Sequence, residues 1–394
     1  MPKKRTAAVA RDRNGAGIEP WSRGRKGATA QTLYNPASAE SMATLEATLN
    51  RTQEVMVKVT GGGKDTGTAQ AHIAYIDRQG VLDIHTDEGE LLNGKDAAKA
   101  IVDDWGLDEI IKGKQRYAPS AGELDKNGKP KRDSRPKLVH NIVLSMPSGT
   151  PPEAVLKAAQ HFARENFALS HRYAMVLHDP ATDPKHEKTQ SGKNPHVHLV
   201  VKAVSETGER LYIRKDTLRN WREQFAQALR LQGVQANATP AAIRGQPKSD
   251  NKSQIHQHQE RLEHWRHQDP NERETHKPPI PSEWLQIKVE NVLRELFNGE
   301  KPDQTGKAKL EKTRESVLKD WLETEKALRE QGQNPLADRV QAFINTLPPV
   351  KTAHDVLKEQ MLADKDRLRA ATAAIQPPIV DKPVSRGDDH AYDR

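Results

Sequence analysis

The sequence predicts an α+β domain, a sheet with one face covered by helices, followed by a second, mostly helical region. Short β-branched segments alternate with amphipathic stretches over residues 51–245. Beyond about Gly245 the strand-like segments stop and only helical periodicities continue. Gly- and Pro-containing breaks punctuate the whole series.

Residues 1–50 are rich in Arg, Ala, Gly, Ser and Thr without sustained periodicity, and are expected to form a mobile basic arm. Residues 55–60 alternate apolar and polar side chains like a strand, which Gly61-Gly62-Gly63 breaks. A helix is expected over 66–78, a strand over 81–85 and a helix over 95–111. Residues 112–137 read as a strongly basic loop. Residues 139–145 form a β-branched strand closed by Pro147-Ser148-Gly149. The amphipathic stretch 152–169 carries Pro near its start, where a missing N–H costs nothing. Strands follow at 173–178 and 196–202, then a helix over 215–233 with a plausible Gly cap. Helices are expected over 254–267, 282–297, 307–330, 335–347 and 353–374. The resulting division is an arm (1–50), an α+β domain (51–250) and a helical, partly extended region (251–394).

Charged residues make up 29% of the 394 and hydrophobic ones 35%, with a mean hydropathy of −0.86. That is too polar for one core spread over the whole length. The net charge of +8 and a pI near 9.3 favour a polyanionic partner, of which nucleic acid is the commonest. Cysteine is absent, which excludes disulfides, thiolate-bound zinc and thiol nucleophiles and fits a reducing cytoplasm. No apolar run approaches the roughly 18–20 residues that span a bilayer, so stable membrane insertion is not expected. Met1-Pro2-Lys3-Lys4-Arg5 is basic but lacks the apolar stretch of a secretory signal.

The sharpest chemical signal is Asn194-Pro195-His196-Val197-His198. In a strand His196 and His198 share one face while Val197 and Leu199 point into the core. Two imidazoles so placed make half of a metal site. His178, at the end of the preceding strand, is the candidate third ligand, and His186 in the intervening loop competes with it. His178 is preferred because a strand end is positioned more firmly than a loop. Three neutral imidazoles leave coordination positions open, as in a catalytic site. The second signal is Tyr75, on a helix that a Gly run precedes; a deprotonated phenol there can attack phosphorus. The run Gly61-Gly62-Gly63-Lys64-Asp65 is not a P-loop, since Lys58 replaces the first Gly and Asp65 the Ser or Thr. A close backbone approach or an anion nest is expected there instead.

Taken in order, these segments resemble the MobP class of relaxases of conjugative and mobilisable plasmids, which includes the agrobacterial T-DNA border relaxase. The likeness covers about residues 53–245. The stretch Ala71-His72-Ile73-Ala74-Tyr75-Ile76-Asp77-Arg78 is similar to the family's first motif, whose tyrosine is the nucleophile. His140-Asn141-Ile142-Val143-Leu144-Ser145 resembles the second, and His178 with His196-Val197-His198 the third, which binds a divalent ion. Arg244-Gly245 looks like the close of the catalytic domain. One departure is plain: 18 positions separate His178 from His196, filled by a Pro/Lys-rich insertion, where the family has only a few.

The resemblance implies a ferredoxin-like palm with a central antiparallel sheet, and site- and strand-specific nicking of origin-of-transfer DNA through a 5′-phosphotyrosyl link on Tyr75. His178, His196 and His198 are the metal candidates, for Mn²⁺ or Mg²⁺; imidazole ligands favour Mn²⁺. His72 is a candidate to orient Tyr75 or take its proton, and Asp179 or His140 to support a ligand. Lys58, Lys64, Arg78, Lys131, Arg132 and Arg244 are candidates for DNA contact. The resemblance further implies a bacterial cytoplasmic protein that can travel to a recipient cell attached to DNA. Accessory relaxosome proteins and a type IV secretion coupling protein are its implied partners. Deletion of residues 251–394 is then expected to spare nicking in vitro. A rolling-circle replication initiator shares the chemistry but generally places its tyrosine after the histidine pair. A DNA-binding accessory protein with a dead site is the other alternative.

Overall fold

The computed structural model describes residues 33–35, 37–107, 123–124, 133, 135–184, 194–246, 254–269 and 278–375. Its centre is a six-stranded, wholly antiparallel sheet in the order β1-β4-β6-β5-β2-β3. The strands are β1 (Met56–Gly61), β2 (Ile84–Thr86), β3 (Leu91–Leu92), β4 (Val139–Ser145), β5 (Tyr173–His178) and β6 (His196–Lys202). The α+β expectation holds, and β4, β5 and β6 start and stop where the sequence places them. These are the most apolar strands and they fill the middle of the sheet, where periodicity and burial agree.

Helices lie on both faces of the sheet, not on one. On one face α4 (Pro152–Phe167) and α5 (Lys215–Leu231) cover Val57, Ile142, Leu144, Met175, Val197, Leu199 and Val201. Phe162 meets Phe167, Trp221 and Phe225 edge-on, with centroids 6.0–6.4 Å apart. On the other face α2 (Thr66–Ile76) and α3 (Ala97–Asp104) cover Ile84, Val139, Ala174, Val176 and Val200. The pleat divides each strand between these two cores. The helices on both faces follow the helical periodicity of the sequence; what that periodicity does not show is that strands such as β6 are apolar on both sides because both sides are covered.

The glycine run sets how closely α2 approaches the sheet. Gly62 has φ +134°, and a Cβ there would lie 2.0 Å from the Val139 carbonyl oxygen. A Cβ on Gly63 would lie 2.4 Å from the Ala69 amide nitrogen, inside the first turn of α2. Asp65 then caps α2, accepting from the Thr68 amide, while Thr68 Oγ1 accepts from the Asp65 amide.

Two compact units divide the chain: residues through Pro240 together with Asp320–Asn345, and Ala241–Lys319 together with the residues from Thr346 onward. The first unit contains a helix the sequence reading assigned to the arm, α1 (Ala39–Leu49). Its buried positions are Ser41, Thr44, Leu45, Ala47 and Thr48, too small and polar to register as an apolar stripe. Thr48 Oγ1 lies 2.7 Å from Thr239 Oγ1 and 3.0 Å from the Tyr34 hydroxyl, and accepts from Asn237. Trp321, fully buried, packs against Tyr34 and Phe343, and Thr324 Oγ1 accepts from the Leu33 amide.

In the second unit α7 (Glu283–Asn298) packs on α10 (Ala353–Ile375) through Leu285, Val292 and Leu357. Helix α6 (Gln254–Arg266) and α8 (Thr305–Glu330) as far as Lys319 belong to it as well, whereas α9 (Asn334–Asn345) belongs to the first unit. Among the described residues no helix is long and apolar enough to cross a membrane.

Removing everything after residue 250 therefore strips Trp321 and Phe343 from the first unit. Trp321→Ala is expected to cost about 3–5 kcal/mol, read as a lower urea midpoint, and a chain ended at residue 250 should lose at least as much. A chain ended there with an unchanged midpoint would show that α1 and Tyr34 do not need this cover.

Candidate metal centre and nucleophile

Strand register builds the site. His178, the last residue of β5, pairs directly with His196, the first of β6, and His198 lies opposite Val143 and Val176. Directly opposed residues share a face, so all three imidazoles emerge on the α2/α3 side, beyond the last apolar row. Their ring centroids are 4.5 Å (178–198), 4.8 Å (178–196) and 5.2 Å (196–198) apart, and one nitrogen from each falls within 4.8 Å of the others.

Burial keeps His178 and His198 neutral, as metal ligation requires. Desolvation, with the neighbouring imidazoles adding to it, pulls His198 down to about 2; desolvation likewise brings His178 to about 4. Each ring is also steered by a second contact. His196 donates from Nδ1 to the Asn194 carbonyl at 3.0 Å, which directs its lone pair to Nε2. His198 Nδ1 lies 3.0 Å from the Asn141 amide group, which also reaches Thr60 Oγ1 at 2.8 Å. His178 donates from Nε2 to the Ile76 carbonyl at 2.6 Å, leaving its lone pair on Nδ1, 3.1 Å from Arg78 Nη2. Three neutral imidazoles suit a borderline divalent ion. His178 can join them only by giving up one of its present bonds or turning its ring.

Tyr75 sits in the last turn of α2 with 54% of its surface exposed. After the cap residue Asp77 the chain turns through Arg78 (φ +58°) and Gln79 (φ +60°), both left-handed, before Gly80. Arg78 is thereby aimed back at the site. It donates from Nε and Nη2 to the two carboxylate oxygens of Asp183 (2.9 and 2.7 Å), and from Nη1 to the Tyr75 carbonyl at 3.1 Å. Its guanidinium carbon lies 5.5 Å from the Tyr75 ring centroid. Asp183 is 1% exposed, and its Oδ2 is 3.4 Å from His178 Nδ1.

The structure places the other predicted residues as follows. His72, half-buried on α2, has an Nε2 with no partner, and burial lowers its pKa against a hydrogen bond with Asn141 that raises it. The carboxylate that reaches His178 is Asp183, not Asp179, whose Oδ1 accepts from the Ala181 amide. His140 pairs with Val201 and faces the α4/α5 side, away from the histidine cluster, so it cannot support a ligand there. Burial beside Lys137 and Arg210 brings it to about 4. Lys58 is exposed on the edge strand β1, Lys64 donates to the Asp133 carbonyl, and Arg244 bonds Gln246. Lys131, Arg132 and His186 lie outside the described residues. Sequence reasoning missed Asp183, Asn141 and Thr60. Asp183 stands in the insertion, where its amide closes a turn onto the Asp179 carbonyl at 2.8 Å, and only the spacing Asp-x-x-x-Asp hints at it.

The depressed histidines make a pH prediction. Unfolded, each titrates near 6.5; folded, His178, His140 and His198 bind protons only near 4, 4 and 2. Between those values the unfolded chain holds more protons, so stability is full above pH 6.5 and is lost as pH falls toward 4. With chelator present, the unfolding free energy should drop on the order of a few kcal/mol between pH 7.5 and pH 5, measured by urea titration. A flat profile would mean that water reaches these rings.

Residues 113–234 match the protein-family model described as "Relaxase: MobA/VirD2-like, nuclease domain". No curated protein and no solved structure gives a match. The matched segment holds β4, α4, β5, β6 and α5, and with them all three histidines of the cluster. Over residues 113–234 the chain is therefore similar to relaxase nuclease domains of the MobA/VirD2 type.

Proposed function

We propose that the protein nicks one strand of DNA at a plasmid transfer origin by transesterification, with Tyr75 as nucleophile. One observation carries the reading: the carbonyl of Ile76, the residue after Tyr75, accepts a hydrogen bond from His178 at 2.6 Å. The turn bearing the phenol is thus tied to the cluster bearing the metal candidates, although 102 positions separate the two residues.

In this reading the Tyr75 phenol oxygen attacks the scissile phosphorus as the bond to the 3′ oxygen breaks. The phenolic proton passes to a base, for which His72, one turn earlier on α2, is the candidate. The departing 3′ oxygen takes up a proton, leaving a 3′-OH and a 5′ phosphate on Tyr75. Phosphodiester energy is conserved in that link, so the 3′-OH can reverse it. His178, His196 and His198 would hold a divalent ion, Mn²⁺ in preference to Mg²⁺. Such an ion supplies charge neutralisation at the non-bridging oxygens of the phosphate. Lys58, Lys64, Lys131, Arg132 and Arg244 are the cations proposed to lead single-stranded or melted DNA to the site. The helical residues after 250 are proposed to meet the coupling protein and accessory proteins in the bacterial cytoplasm, before the DNA-bound protein travels to a recipient.

Supercoiled plasmid carrying the adjacent origin, incubated with Mn²⁺ or Mg²⁺ and analysed with SDS and protease, tests the proposal. Wild type should give nicked circles whose 5′ end retains protein, and Tyr75→Phe should give none. His198→Ala should slow nicking about 100-fold, equivalent to about 3 kcal/mol of lost transition-state stabilisation. Nicks that survive Tyr75→Phe would send the nucleophile elsewhere; binding without nicks in either metal would leave a DNA-binding accessory protein.

A further inference from the structure

The turn that follows Tyr75 carries a cost that its surroundings must offset. Arg78 and Gln79 are two consecutive non-glycine residues in the left-handed region, where a Cβ crowds the backbone. The chain could avoid this with glycine, as it does one residue later at Gly80 (φ +84°). What the strained conformation achieves is the direction of the Arg78 side chain. Its guanidinium fork is spent on three groups at once: both oxygens of buried Asp183, the Tyr75 carbonyl and His178 Nδ1. Only a planar, five-donor group can make that set of bonds; an ammonium carries the charge without the fork. Strain of this kind, held in place by a buried ion pair, marks a site where geometry has been fixed for use.

We infer that Arg78, locked by Asp183, is a positioning residue that holds the Tyr75 phenol in fixed relation to His178, and is not a contact to DNA phosphate. The inference rests on the reading of Tyr75 as nucleophile. It reverses the expectation drawn from sequence, in which Arg78 is one of several phosphate-binding cations. With Asp183 neutralising it at 2.7 Å and its side chain only 13% exposed, Arg78 has little charge left to offer a phosphate. It also gives the insertion between His178 and His196 a task, since its first residues deliver Asp183 beside His178 and Arg78.

The test compares wild type with Arg78→Lys and Asp183→Asn, both close in volume to the originals. Single-turnover nicking of an origin oligonucleotide is measured at saturating protein in Mn²⁺, beside binding of the same oligonucleotide across a salt series. Expected are rates about 100-fold lower in both variants, as for an attacking atom displaced by about an ångström. Affinity and its salt slope should stay as in wild type. In protein labelled with 3-fluorotyrosine, the fluorine resonance that disappears in Tyr75→Phe should also shift in both variants without DNA or metal present. Arg78→Lys nicking at the wild-type rate overturns the inference, because charge alone then suffices. So does weaker binding with a salt slope reduced by about 1 and normal saturated rates, the signature of a phosphate contact. Loss of the folded circular dichroism spectrum in both variants overturns it too, since the pair would then hold the domain and not the site. Wild type that fails to nick, or nicks as well without Tyr75, defeats the nucleophile reading itself and is distinguishable from all of these.

Discussion

The antiparallel pairing of β5 with β6 is the constraint on which the candidate site depends. Because side chains alternate with period two, the register that opposes His178 to His196 also sends His198 to the same face and Val197, Leu199 and Val201 to the other. A slip by one residue would exchange the two sets and bury imidazoles among Phe162, Trp221 and Phe225. Each buried Val or Leu contributes about 1.5–3 kcal/mol, so the apolar alternation holds the register against the cost of desolvating two histidines. Strand β4 reinforces it from the far side of β6, pairing along the full length from Val139 to Ser145. The metal candidates are therefore placed by the core, and need no ion to bring them together.

A second constraint acts through helix α2. Helix α2 must come close enough for the Ile76 carbonyl to meet His178, and the glycine run at its start makes that approach possible. Any side chain at Gly62 or Gly63 would strike backbone atoms of β4 or α2 at 2.0–2.4 Å. The same helix ends in the left-handed pair Arg78 and Gln79, so its two ends are specified by opposite means: absence of side chains at the start, and a strained, ion-paired side chain at the finish. Asp77 assists by accepting backbone bonds from the turn it begins, Val81 and Leu82 both donating to its carbonyl.

Most of this was legible in the sequence where local pattern and burial agree. The strands Val139–Ser145, Tyr173–His178 and His196–Lys202 announce themselves by β-branched runs, and the histidine pair by its one-residue spacing. The long-range pairs were not legible. Asp183 reaches Arg78 across 105 positions, and no periodicity links them. Asn141 lay inside a recognised strand, yet nothing local distinguishes it from His140 beside it; only the pleat decides that Asn141 faces the cluster and His140 does not. Helix α1 escaped because its buried face holds a single large apolar residue, Leu45, among Ser, Thr and Ala, which leaves no hydrophobic stripe. The return of residues 320–345 to the first unit is likewise a matter of Trp321 finding Tyr34, a contact between segments nearly 300 positions apart.

The two faces of the sheet divide the work. The α4/α5 face is closed, aromatic and large, and supplies the stability that fixes the strands. The α2/α3 face is smaller and gives way, at the end marked by His178 and His196, to polar groups in place of apolar ones. The transesterification proposed for Tyr75 would need its nucleophile exposed to a long polymer, yet steady relative to the cluster beside it. Exposure is met by the position of Tyr75 on the outer side of α2, with half its surface open. Steadiness cannot come from burying the phenol, so it has to come from the backbone around it. The Tyr75 and Ile76 carbonyls, each tied to a side chain of the opposite element or of the strained turn, are where that rigidity is supplied.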